Sequence, residues 1–252
     1  MSLTIRVLTF FLALLLMPLA RAETHRFYGH AFDLKSDVYL YTEVHEQEIV
    51  DGVWKRGRIR YYDPDGELIG DKQLSFDADP YIPVYELTLP YKDYVEGISA
   101  VGDEISLYKS SGGERKEKSI RRRDMMAADS GFHSLLRDNF ETLMKGETAR
   151  FRLVVAGNLD GYSFRARKVG ETRFDGVDAV KLIVEPDSLL RLLVDKLELV
   201  YEPKERQLLE YRGISNIHDP QTGDAYNARI VYPKAPPAGA PATLPPLEPE
   251  AE

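Results

Sequence analysis

The residues able to do chemistry are thinly spread along this chain. Five histidines, His25, His30, His45, His133 and His218, occur with no two at a spacing that would place them on one helical face. A metal site would have to be assembled from His45 with Glu43 or Glu46, without the tight ligand spacing that marks zinc sites, so no metal and no cofactor is expected. Ser130 and His133 have the composition of a nucleophile and its base. No Gly-x-Ser-x-Gly turn accompanies them, and Ser130 has a complete role as a helix cap. Asp63 and Asp65 fall in Asp-Pro-Asp-Gly, where aspartate serves the backbone of a turn. There is no phosphate loop or dinucleotide fingerprint, and the chain reads as a non-enzyme with no catalytic residue to name.

Two lysines are sharper candidates. Lys72 and Lys168 each fall on the apolar side of a strand, where an amine must reach solvent, find a carboxylate or meet a bound anion. If the strands enclose a cavity, either lysine could receive an anionic head group at its mouth. Arg121, Arg122 and Arg123 could likewise touch lipid phosphate, and Tyr39, Tyr41, Tyr61 and Tyr62 have apolar rings suited to lining a hollow.

The elements that must position these residues are mostly strands. Alternation places Val38, Leu40, Thr42 and Val44 on one face of a strand, with Tyr39, Tyr41, Glu43 and His45 on the other. In the same way Leu68, Gly70, Lys72, Leu74 and Phe76 share a face, as do Tyr162, Phe164, Ala166 and Lys168. Asp51-Gly52, Asp63-Pro64-Asp65-Gly66, Asp160-Gly161 and Asp175-Gly176 are turn signals between such segments. Residues 129–146 break the pattern. Phe132, Leu135, Leu136, Phe140, Leu143 and Met144 recur at helical spacing, with Asp129 or Ser130 as cap and Lys145-Gly146 as stop. About six strands before this helix and about six after it predict a mainly β chain. The expected form is a strongly curved, incompletely closed antiparallel barrel, with one central amphipathic helix (about 130–145) as plug or lid. Its cavity and lid would be lined by Leu40, Ile59, Leu74, Phe132, Leu136, Phe140, Phe151 and Leu153. A short helix is also expected from Pro186 through Leu193.

The ends differ from the middle. Arg6, the apolar run Val7–Met17 and Ala20-Arg21-Ala22 form a cleavable leader over residues 1–22, so export to a periplasm is expected. The domain then spans 23–233, and the Pro/Ala/Glu-rich stretch 234–252 is expected to be disordered or extended. There is no cysteine, hence no disulfide framework and no lipid-attachment thiol. Without Arg6 and Arg21, 31 basic side chains face 41 acidic ones, a balance that argues against nucleic acid as the main partner. No stretch after the leader approaches the roughly 20 apolar residues of a spanning helix.

The leader, the long meander with its Tyr61–Lys72 hairpin, the Phe132–Met144 helix at mid-chain and the turn-rich second half resemble the periplasmic lipoprotein-localisation carriers and the exported bacterial proteins like them. That resemblance implies an unclosed β-barrel of about eleven strands with a helical lid over an acyl-chain cavity. The expected function is therefore an exported, soluble, non-enzymatic binding protein for a lipid or other apolar ligand in the bacterial envelope. The alternative is an envelope assembly or scaffolding protein that holds a protein partner through its outer face and tail.

Overall fold

A computed structural model describes residues 22–188 and 196–247. The leader and most of the helix expected from Pro186 lie outside the described residues. The chain is mainly β, built on one open, curved sheet of fifteen strands. The first eight are β1 (Ala22–Asp33), β2 (Tyr39–Val50), β3 (Val53–Tyr62), β4 (Leu68–Ser75), β5 (Val84–Leu89), β6 (Tyr94–Val101), β7 (Glu104–Ser111) and β8 (Glu114–Arg121). After them come β9 (Met126–Ala128), helices α1 (Gly131–Asp138) and α2 (Phe140–Met144), then β10 (Ala149–Val155), β11 (Asp160–Phe174), β12 (Val177–Pro186), β13 (Leu197–Glu202), β14 (Gln207–His218) and β15 (Ala225–Val231). Each strand of the run β1 to β8 pairs with the next, β10 to β15 do the same, and β1 pairs with β15 to join the two runs. All pairs are antiparallel except β9 with β10, which is parallel. Nine strands thus precede the helices, where about six were expected.

The turns form where their chemistry requires. Asp51 and Gly52 have φ of 50° and 77°, as do Asp175 and Gly176 at 45° and 80°, the left-handed pair that a two-residue hairpin needs. Asp63 Oδ1 accepts from the backbone N–H of Asp65 and Glu67, which fixes the next turn.

The sheet does not close by hydrogen bonds. Its free edges are β8 and β9, and β7 and β8 meet the β10–β11 connection through side chains: Lys118 Nζ lies 2.9 Å from Asp160 Oδ2, and Lys109 Nζ donates to the Gly157 carbonyl at 2.7 Å. The charged sequence of β8, Glu-Arg-Lys-Glu-Lys-Ser-Ile-Arg, suits an exposed edge. On β9 the backbone N–H of Ala128 is capped by the Tyr81 carbonyl at 2.9 Å.

The single expected helix is two, broken at Asn139 (φ −94°, ψ 11°). The backbone N–H of Asn139 makes the ordinary i→i−4 bond to the Leu135 carbonyl at 3.1 Å, and its side-chain amide brings a second donor to the same oxygen at 2.9 Å. The cap also differs from the expectation. Ser130 is already helical and makes no capping bond. Asp129 turns the chain into α1 with φ of 43°, and its carboxylate is engaged elsewhere. Gly131 is required at the start of α1, because a Cβ there would meet the Tyr81 carbonyl oxygen at 2.1 Å.

The helices fill the second half of the curve. Phe132, Leu135, Leu136, Phe140 and Leu143 pack on Phe151, Ala166, Leu182, Leu199 and Tyr201 of β10 to β13. Each such buried side chain is worth about 1.5–3 kcal/mol, enough to hold two short helices with little stability of their own. A second core occupies the hollow of the first half, where Tyr41, Ile59, Tyr61, Leu74, Leu87 and Ile98 meet Val154 and Ile230. After Pro233 the chain folds back on the outer face of β1. There Tyr28 donates to the Pro245 carbonyl at 2.6 Å, and a Cβ built on Gly239 would meet Phe32 at 3.5 Å.

Candidate functional site

Between the two cores the curved sheet leaves a cavity of about 920 Å³, bounded by α1 on one side and by strands of the first and last runs on the other. Phe27, Trp54, Ile59, Phe132, Leu153 and Tyr211 give it an apolar wall. Volumes of roughly 300–1,000 Å³ are usual for small-molecule sites. The helix is therefore one wall of the hollow, and it is anchored in the core on its opposite face.

The inner end of the cavity is polar. On β2, Tyr41, Glu43 and His45 point inward while Thr42 and Val44 point out, the reverse of the expected phase. The apolar residues still escape water, since Thr42 and Val44 are fully buried on an outer face that is itself covered. Leu40 sits at the β1–β2 bulge and packs on the first core, away from the cavity. Glu43 Oε2 accepts from His45 Nε2 at 2.8 Å and from the Tyr232 hydroxyl at 3.1 Å. In the neutral ring with Nε2–H donating to Glu43, Nδ1 is the acceptor nitrogen. Nδ1 is buried and has no partner among the described residues. The ring stacks on Phe27 at 4.5 Å, so its plane is fixed. Gly29, opposite Glu43 in the ladder, makes room for the carboxylate, because a Cβ there would lie 2.6 Å from Oε2. Burial, and after it the Glu43 charge, holds the Tyr232 phenol well above its ordinary range.

Across the hollow, Lys72 Nζ makes a two-pronged ion pair with Asp129, at 2.8 and 3.0 Å. Both side chains are almost wholly buried, at 5% and 1% exposure. Asp129 also accepts from Asn216 Nδ2 at 2.9 Å, from the Ser130 N–H at 2.6 Å and from Ser130 Oγ at 2.8 Å. Burial alone would raise this carboxyl, but the Lys72 charge and the hydrogen bonds outweigh it and hold it below the ordinary carboxylate range. His133, on the helical wall, bonds the Tyr201 hydroxyl through Nδ1 at 2.7 Å, and burial pushes its pKa down to about 3.

Glu96 completes the inner end. It accepts from Tyr94 at 2.6 Å and Tyr85 at 3.3 Å, and burial, ahead of the nearby Asp129 charge, raises its carboxyl above the ordinary value of 4.5. An acid raised on folding weakens the folded state as pH climbs through the interval between its unfolded and folded values. Glu96→Gln keeps an acceptor for both phenols, so it should raise the melting temperature at pH 7. The gain should shrink to nothing below pH 4.5, where both states are protonated. Equal melting of the two proteins at pH 7 would contradict this.

Of the residues picked out from sequence to line a hollow or meet a head group, the cavity gathers Ile59, Tyr61, Phe132, Leu153 and Lys72. Leu136, Phe140 and Phe151 lie in the core beneath the helices and Leu74 in the first core, away from the lining. Lys168 is outside the cavity and reaches Glu171 at 3.0 Å. Arg122 is taken by the buried Asp79 at the mouth of a separate surface groove. Glu43, His45, Glu96, Asp129 and Tyr232 were not anticipated as cavity residues. The one signal for them was the alternation Tyr41-x-Glu43-x-His45, which places three polar-tipped side chains on a common face.

No protein-family model matches the chain and no curated protein does. Two solved structures are similar to it. One is a β-barrel-like protein of a domain of unknown function, DUF1849, from Brucella abortus, at 8% identity over 84% of this chain and 98% of that one, with a TM-score of 0.46. The other is described as a "putative outer membrane lipoprotein-sorting protein domain" from Vibrio parahaemolyticus, at 10% identity over 81% of this chain and 67% of that one, with a TM-score of 0.25. Among the described residues no helix is long and apolar enough to cross a membrane.

Proposed function

We propose that this chain is an exported, non-enzymatic binding protein that holds a lipid or another apolar ligand in the bacterial envelope, in a periplasm reached through its leader. The observation that carries this reading is the cavity of about 920 Å³ with an apolar wall and a buried polar end, the arrangement that accepts an alkyl chain and orients its head. A non-catalytic role is supported by the engagement of the hydroxyl and imidazole groups. Ser130 Oγ is spent on Asp129, and His133 on Tyr201.

Protein exported to a periplasm and purified without detergent should carry a lipid-sized adduct in native mass spectrometry. Leu153→Trp, which fills the apolar wall from β10, should lower adduct occupancy at least tenfold while leaving the circular dichroism spectrum unchanged. A clean apo mass in well-folded wild-type protein would count against a carrier.

A further inference from the structure

We propose that the polar end of this cavity recognises a primary ammonium group, so that the ligand is an amine-headed amphiphile. This rests on the reading of the cavity as a ligand site and reverses the polarity first expected of its head group.

The case against an anion is the state of Lys72. Both of its short bonds go to Asp129, at 5% exposure, so its charge is already cancelled where a carboxylate or phosphate would need it. The case for a cation is the balance of the lining, in which six acidic side chains stand against three basic ones. The Lys72–Asp129 pair cancels, which leaves five acids against Arg137 and Arg206, and Arg206 is drawn to Glu141 at 3.3 Å. Low-dielectric walls focus such an excess on whatever enters.

The geometry adds specificity. An ammonium brings three N–H donors and no acceptor. His45 Nδ1, the acceptor nitrogen of the neutral ring, is buried without a partner, on a side chain nine-tenths buried and held by Glu43 and Phe27. Both short bonds of Glu43 fall on Oε2, which leaves Oε1 for a second N–H. Rings of Tyr85 and Tyr201 also line the hollow, while that of Tyr61 already has Lys72 Nζ 5.8 Å from its centre. A quaternary ammonium could use the rings and the charge but would leave Nδ1 unmet, which selects a primary amine.

Trp54 is the sole tryptophan and lines the cavity, so its emission reports binding directly. Mature protein freed of bound lipid would be titrated at pH 7 with dodecylamine, dodecyltrimethylammonium, dodecanol and laurate, all below their micelle concentrations. Dodecylammonium should bind at least tenfold more tightly than laurate and more tightly than the trimethylated cation. Glu43→Gln should erase most of that preference and leave dodecanol affinity unchanged. His45→Phe keeps the stack on Phe27 and should lower dodecylammonium affinity alone. If Glu43→Gln does not fold, the wild-type ranking decides by itself. Laurate binding as tightly as the amine, or Glu43→Gln retaining the full preference, overturns the ammonium assignment and leaves the binding protein standing. No binding of any of the four to folded protein overturns the binding reading itself. Lysophosphatidylethanolamine binding above lysophosphatidylglycerol would assign the amine to a membrane lipid. A response to the alkylamine alone would assign it to a free amine.

Discussion

Lys72→Met should remove about 3–5 kcal/mol of folding stability, the penalty for leaving one partner of a buried ion pair uncompensated. Asp129 is 1% exposed and would keep only its bonds from Ser130 and Asn216. Methionine matches the length of the lysine stem, so the loss comes from the stranded carboxylate and little from packing. The double variant Lys72→Met/Asp129→Asn should recover most of it, since removing both charges removes the imbalance. The nearby pair of Arg58 with Asp71, two-pronged in the same way but with the arginine 44% exposed, is the control. Its loss should cost about 1 kcal/mol or less. Urea unfolding of the four proteins measures all of this, and a Lys72→Met cost equal to the control would mean that the pair is wet in solution. The pair also ties β4 to the residue that turns the chain into α1, so the single variant should loosen the helical wall before the sheet melts.

Stability should fall as pH drops below 6.5, well before most carboxylates titrate. His133 has a folded pKa of about 3, set by burial, against 6.5 when free. The unfolded chain therefore takes a proton that the folded one refuses, and the folded state loses ground from pH 6.5 down toward pH 3. A fully buried group would cost up to about 1.4 kcal/mol per pH unit in that window. The ring is partly open to the cavity, which halves the expectation to roughly 2 kcal/mol by pH 4. His30 and His218, both lowered chiefly by burial, act in the same direction, while Glu96, raised chiefly by burial, opposes them as pH falls toward 4.5. His133→Gln should thus flatten the slope between pH 6.5 and 4 without abolishing it. Asp129 contributes only lower still, as pH falls through its depressed value. Urea midpoints at pH 7, 5.5 and 4 test the sign, and a wild-type midpoint that does not move over that range would refute it.

Much of the scaffold was legible because its rules are local. The Asp-Gly turns, the inward face of β4 that carries Lys72 and Leu74, and the greasy stripe of the helices follow from neighbours a few residues apart. The polar end of the cavity was not legible, for a reason of principle. Alternation tells which residues share a face and leaves open which face is inside, and the usual choice puts the apolar set inward. On β2 that choice fails because the outer face is covered as well, so Val44 can be buried outside while Glu43 and His45 line the hollow. Asp129 stood at a helix start, where capping explains an aspartate fully. Only the fold brings Lys72, fifty-seven positions earlier, against it. Leu136 and Phe140 were misplaced by a related step, since a greasy helical face was equated with the face toward the ligand.

The side-chain contacts of β7 and β8 with the β10–β11 turn give the sheet a seam. A barrel laddered all the way round has a fixed circumference, and widening it means pulling strands apart. Here the two rims are clasped by Lys118 on Asp160 and Lys109 on the Gly157 carbonyl, and the first of these clasps is exposed to water and salt. Parting the rims would break no strand-to-strand hydrogen bond, but it would also separate buried side chains, because Val154 and Ala156 share the first core with Ile98 and Leu107.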